Sequence, residues 1–133
     1  MIFICGLAIL AAGCSTLNNT DSASLQGTWT GKEVGRETEG MCALHISGDV
    51  LEFRGADTNE WYKATFTLQE DKAPKQLTGA ITECPAPEYR GKTVHAIYRI
   101  EAGTLTISGN EPGNPEVPAR FDAPGTRQFV LNK

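Results

Sequence analysis

From Leu25 to the end of the chain, apolar side chains recur at every second position in short runs broken by Gly, Asp, Asn and Pro. That rhythm is the mark of antiparallel strands with one dry face, and no segment keeps a helical period for three turns. The predicted strands are Gly27 to Val34, Cys42 to Ser47, Val50 to Arg54, Glu60 to Gln69, Gln76 to Thr82, Thr93 to Glu101, Thr104 to Ser108 and Arg127 to Asn132. Ser47-Gly48-Asp49 and Ala102-Gly103 read as tight turns, because glycine supplies the positive φ that such turns need. Consecutive strands should therefore pair as a meander. A sheet of eight strands with one apolar face and two open edges is sticky, and closure removes both liabilities. The expected fold class is all-β, a small eight-stranded antiparallel up-and-down β-barrel over residues 25 to 133.

Alternation also sorts the side chains. Trp29, Leu44, Ile46, Leu51, Phe53, Tyr62, Ala64, Phe66, Leu68, Leu77, Ile81, Val94, Ala96, Tyr98, Ile100, Leu105, Ile107, Phe129 and Leu131 fall on the inner face. His45, His95, Lys63 and Arg99 fall on the outer one. Trp61 also points outward. The stretch Gly109 to Thr126, with four prolines and three glycines, is expected to be a long loop whose Phe121 caps one mouth.

Ahead of the barrel, residues 1 to 13 form an uncharged apolar run of signal-peptide length, and the first charged residue is Asp21. The missing basic residues before the run place the expected true start upstream. Residues 14 to 24 are polar and small enough to read as a flexible tether, with a mean reach of ~17 Å. The small residues Ala11-Ala12-Gly13 before Cys14 resemble the lipobox of bacterial lipoproteins, with Ala11 where that pattern prefers Leu. The resemblance implies a signal peptide over 1–13 and acylation of Cys14. The protein would then partner a membrane through its N-terminal lipid, in the bacterial cell envelope. Ser15 after the cysteine points to the outer membrane, facing the periplasm.

Two cysteines remain in the expected domain. In an exported chain an even pair suggests a disulfide, here Cys42 to Cys84, closing a loop of about 42 residues and contributing roughly 3 to 4 kcal/mol. The start of the second strand and the end of the fifth lie at one end of a meander barrel, which agrees with such a bridge. No CxxC occurs, and neither His45 nor His95 has ligand spacing to a cysteine, so no metal site is expected. With 12 basic and 16 acidic residues, the net charge of −4 gives no basis for nucleic-acid binding.

Leu25-Gln26-Gly27-Thr28-Trp29 resembles the first-strand Gly-x-Trp motif of the lipocalin and calycin superfamily. More closely, the stretch from Leu25 to Lys133 resembles a lipocalin-like domain of unknown function found in exported planctomycete-type bacterial proteins. That resemblance rests on Gly27-Thr28-Trp29, Gly48-Asp49, Gly91-Lys92-Thr93 leading to Ile97-Tyr98, Gly103-Thr104-Leu105, Pro118, Phe121 and Gly125, with Val117 where the family often has Arg. It implies that a basic residue, Arg127 or Arg120, packs on the Trp29 indole.

No nucleophile and base share a motif, and no phosphate loop or calcium loop occurs; no catalytic residue, cofactor or enzyme activity is expected. Glu33, Glu37, Glu39 and Glu88 read as a solvated acidic rim. An eight-stranded barrel is either filled by its own side chains or wide enough for one small ligand. If hollow, it should bind a small apolar ligand between Trp29, Phe53, Phe66 and Tyr98. If solid, it should act as a scaffold or inhibitor that contacts another envelope or extracellular protein through its loops. The interior volume decides between them.

Overall fold

The computed structural model describes residues 20 to 133. The apolar run, Cys14 and the first part of the tether lie outside the described residues. A short helix, α1 (Thr20–Leu25), leads into eight strands: β1 (Gly27–Glu33), β2 (Cys42–Ser47), β3 (Val50–Arg54), β4 (Trp61–Gln69), β5 (Lys75–Glu83), β6 (Thr93–Glu101), β7 (Thr104–Gly109) and β8 (Arg127–Asn132). A 3-10 turn, Pro87–Tyr89, stands between β5 and β6. Every strand pairs antiparallel with its sequence neighbours, and β1 closes on β8, giving a closed up-and-down barrel. The predicted strands match these bounds to within two residues.

Closure depends on Gly31. A Cβ there would run into the carbonyl oxygen of Val130 and the backbone of Leu131, so β1 and β8 can approach only without a side chain. One irregularity bends the wall, a register shift between Lys63 and Ala64 where β4 meets β5.

The two ends of the barrel differ. At one end, the hairpins β2–β3, β4–β5 and β6–β7 gather beneath α1. Leu25, Trp29, Phe66, Tyr98, Leu105 and Leu131 are buried together there. Residues 20 to 24, which the sequence assigns to the tether, are therefore part of the domain. The reason is tertiary: Asp21 Oδ2 accepts hydrogen bonds from Lys75 Nζ and Tyr98 Oη, each at 2.8 Å, and Leu25 is fully buried. Trp29 Nε1 donates to the Leu25 carbonyl at 2.8 Å. Lys133 Nζ lies 5.0 Å from the centre of the Trp29 ring and donates to the Ser24 carbonyl. The cation on the Gly-x-Trp indole is thus Lys133, whereas Arg127 belongs to the opposite end of β8 and Arg120 pairs with Asp122.

The loop after β7 does not cap a mouth with Phe121. It folds along the outside of the wall, where the Arg99 guanidinium sits 4.7 Å from the Phe121 ring centre and Ser108 Oγ donates to the Phe121 carbonyl at 2.7 Å. The cause is on the outer face of β6 and β7, where Ile97 and Ser108 are fully buried and Thr106 nearly so. An apolar side chain on the outside of a barrel has to be covered.

Candidate functional site

Inside the barrel, on the side away from α1, lies a cavity of about 320 Å³, at the lower edge of the range of ~300 to 1,000 Å³ for small-molecule sites. Its body is apolar, walled by Leu44, Leu51, Phe53, Ile81, Ile107 and Phe129 among others. The space exists because four positions on its wall carry almost no side chain: Ala64, Gly79, Ala96 and Gly109. A Cβ placed on Gly79 would make only ordinary contacts, 3.8 Å from the Ala64 Cβ and from the Thr65 carbonyl. Those glycines leave room that a larger residue could fill.

Of the four residues expected to line a ligand pocket, Phe53 does so. Trp29, Phe66 and Tyr98 do not; they are packed into the closed end, each at most 7% exposed. Alternation places all four inward but is silent about height along the barrel axis, and height decides which of them meet the void.

The mouth is polar. Tyr62, Tyr89, Asn110, Glu111 and Arg127 line it, and Tyr89 Oη donates to Glu111 Oε2 at 3.1 Å. That carboxylate beside it raises the Tyr89 phenol. Burial, and then the Glu60 charge, raise Tyr62. Arg127 continues the inward face of β8 and leans over Phe129 and Phe53, at 5.3 Å and 6.0 Å from their ring centres. Its guanidinium is gripped from both sides. Nε and Nη2 donate to Glu33 at 2.9 and 2.8 Å, and Nη1 and Nη2 donate to Glu60. Hydrogen bonding to Arg127 holds the Glu33 carboxyl below its ordinary value against the opposing effect of burial. Glu33 is therefore not part of a solvated rim: it is 8% exposed, because it lies two residues beyond Gly31 on the inward face of β1.

Cys42 and Cys84 are both buried at this open end, as the meander requires, but they are free thiols and the expected bridge is not formed. In the wall, β3 and β4 stand between β2 and β5. Three strand spacings of ~4.8 Å put the two positions roughly 14 Å apart along the wall, well beyond disulfide reach. Cys84 Sγ instead donates to the Ala86 carbonyl, and burial pushes the Cys42 thiol up.

The histidines lie on the outer face. His45 Nδ1 is 3.0 Å from Thr28 Oγ1, and neither His45 nor His95 lines the cavity. Trp61 also stands outside the barrel, in a polar crevice of about 360 Å³ shared with Glu33, Arg36, Glu39, Asp57 and Glu60. That crevice has polar walls, whereas the inner cavity has the apolar walls that give a ligand binding energy. Among the described residues, no group of three or more His, Cys, Asp or Glu is placed to hold a metal ion. No family model matches the chain, and no curated protein or solved structure matches it.

Proposed function

We propose that this protein is an exported, lipid-anchored, lipocalin-like carrier whose barrel binds one small, largely apolar ligand. The cavity carries this reading: about 320 Å³ of apolar space, plugged at one end and open at the other. A solid scaffold needs a filled interior, and this barrel is hollow on its open side. The Tyr and Asn side chains at the rim supply a few polar contacts of the kind that orient a ligand whose affinity comes from apolar burial.

The anchor adds a direction. The chain enters the barrel at its plugged end, and from Cys14 to Thr20 six residue steps reach at most ~20 Å. A diacylated Cys14 would hold α1 and the closed end toward the outer membrane, and turn the mouth away from it into the periplasm. Two or more acyl chains are enough for stable attachment.

Native mass spectrometry of the protein purified from its own host tests the carrier reading. A bound small molecule released by organic solvent is the expected result, and an empty barrel that takes up no apolar probe overturns it. Metabolic labelling with a radioactive fatty acid tests the anchor. Label should be incorporated and then lost in Cys14→Ser, and an unlabelled wild type would remove the membrane from the account.

A further inference from the structure

We infer that the ligand of this cavity bears a neutral or cationic head, an amine in the tightest case, and that the mouth discriminates against carboxylates. This rests on the carrier reading above and specifies its substrate class. The cavity is lined by one cation, Arg127, and one anion, Glu111. Taken alone, Arg127 looks like an anchor for an acidic head group, as such guanidiniums often are. All but one of its five N–H donors are already committed. Four N–H to carboxylate hydrogen bonds tie it to Glu33 and Glu60, one on each side. A carboxylate head could take only the remaining Nη1–H; a bidentate grip would have to break an existing pair and leave a largely buried glutamate without its cation.

The carboxylates outnumber this cation at close range. Among the charged groups that line the cavity or pair with its arginine at close range, three carboxylates, Glu33, Glu60 and Glu111, stand against one guanidinium. Arg36 does not change this balance, because it sits between Glu33 and Glu39, at 3.8 and 3.6 Å, and so brings one further carboxylate with it. The groups around an incoming head are one carboxylate, one amide and two phenols, besides the last N–H of Arg127. Glu111 keeps Oε1 beyond the oxygen taken by Tyr89. Asn110 uses one amide N–H on the Glu116 carbonyl at 2.8 Å and has its Oδ1 as an acceptor. Tyr62 and Tyr89 stand with ring centres 6.4 Å apart, and both line the cavity. An ammonium is satisfied by this combination of carboxylate, amide oxygen and aromatic face.

The test is a calorimetric titration at pH 7 of the full chain carrying Cys14→Ser, which removes the acylation site. The probes are octylammonium, 1-octanol and octanoate, which share one tail and differ in the head. Octylammonium should bind most tightly, at least about tenfold tighter than octanoate, a difference of 1.4 kcal/mol, with 1-octanol between. Glu111→Gln should narrow the gap between octylammonium and octanol at least threefold. Gly79→Val, which fills the cavity from its wall, should weaken binding of all three and so identifies the site. Octanoate binding as tightly as octylammonium, or an ordering untouched by Glu111→Gln, overturns the head-group inference while the carrier reading stands. If none of the three binds in a manner sensitive to Gly79→Val, both fall.

Discussion

The closed and open ends of this barrel are built from the same eight strands and the same alternation, yet they spend their inward positions differently. At the closed end, those positions hold Trp29, Phe66, Tyr98 and Leu105, with α1 laid across them. Around the cavity, the wall includes Ala64, Gly79, Ala96 and Gly109. Polar groups follow the same division. Asp21 is buried in the plug with two donors on one oxygen, while Glu33 and Glu60 share a single arginine at the rim, where the guanidinium keeps contact with water. One end stores packing energy and the other reserves space. A small single-domain barrel can leave an interior void only if some other part of its core is dense.

The sharpest way to break this comparison is to empty the dense end. Trp29→Ala removes a 2% exposed indole together with its hydrogen bond to Leu25, and should cost about 3 to 5 kcal/mol in chemical denaturation. Phe53→Ala, on the cavity wall, should cost clearly less than Trp29→Ala. Its ring is half-buried and borders space that is already open. Equal losses would mean that the two ends are energetically alike and that the cavity is not a separate compartment.

A middle-sized effect concerns the two charged clusters. Arg127→Met leaves Glu33 and Glu60 facing each other at the rim without a cation, and a loss of roughly 2 kcal/mol is expected, below the cost of breaking a fully buried pair because the arginine is 40% exposed. Asp21→Asn should lose about 1 to 2 kcal/mol by weakening its hydrogen bonds to Tyr98 and Lys75. It should also change the acid limb of the stability curve. Burial acts to raise the Asp21 carboxyl, but hydrogen bonds from Lys75 and Tyr98 outweigh it and hold the group below its ordinary 3.8. A carboxyl depressed in the folded state contributes stability that is complete above the unfolded value and is lost as pH falls through the folded one. The wild type should therefore lose plug stability below about pH 3.8, and Asp21→Asn should lack that component. Denaturation midpoints between pH 7 and pH 3 measure both, and parallel curves for the two proteins would remove Asp21 from the account.

Much of this was legible in the chain before its structure. Alternation placed every strand, and it placed Glu33 and Arg127 inward too, since they follow Trp29 and precede Phe129 at even spacing. The habit of assigning charge to solvent hides that signal. The small inward residues were equally visible, but period alone does not say that four of them surround one volume, because that depends on strand stagger. The helix Thr20–Leu25 could not be read at all. Its six residues, TDSASL, have no amphipathic period, and tertiary contacts to Lys75, Tyr98 and Trp29 hold them in place. The path of the 110–126 loop had one trace, the apolar Ile97 among the outward residues His95 and Arg99.

The smallest expected change in stability is the one that most sharpens the contrast. Gly79→Val adds a side chain to the middle of β5, where glycine costs roughly 0.5 to 1 kcal/mol of backbone entropy relative to a residue with a Cβ. The new Cβ meets the Ala64 Cβ and the Thr65 carbonyl at ordinary contact distance, and the branched end projects into space the cavity already offers. Stability should stay within about 1 kcal/mol of the wild type, on the stabilising side, while affinity for an apolar probe falls at least tenfold. The same addition at Ala96 or Ala64 repeats the test on neighbouring wall positions. A glycine retained where valine would make the fold more stable is then explained by the volume it leaves, and not by any need of the backbone. If Gly79→Val instead unfolds the barrel, the position is one of close packing like Gly31, and the void next to it is too shallow to admit a ligand.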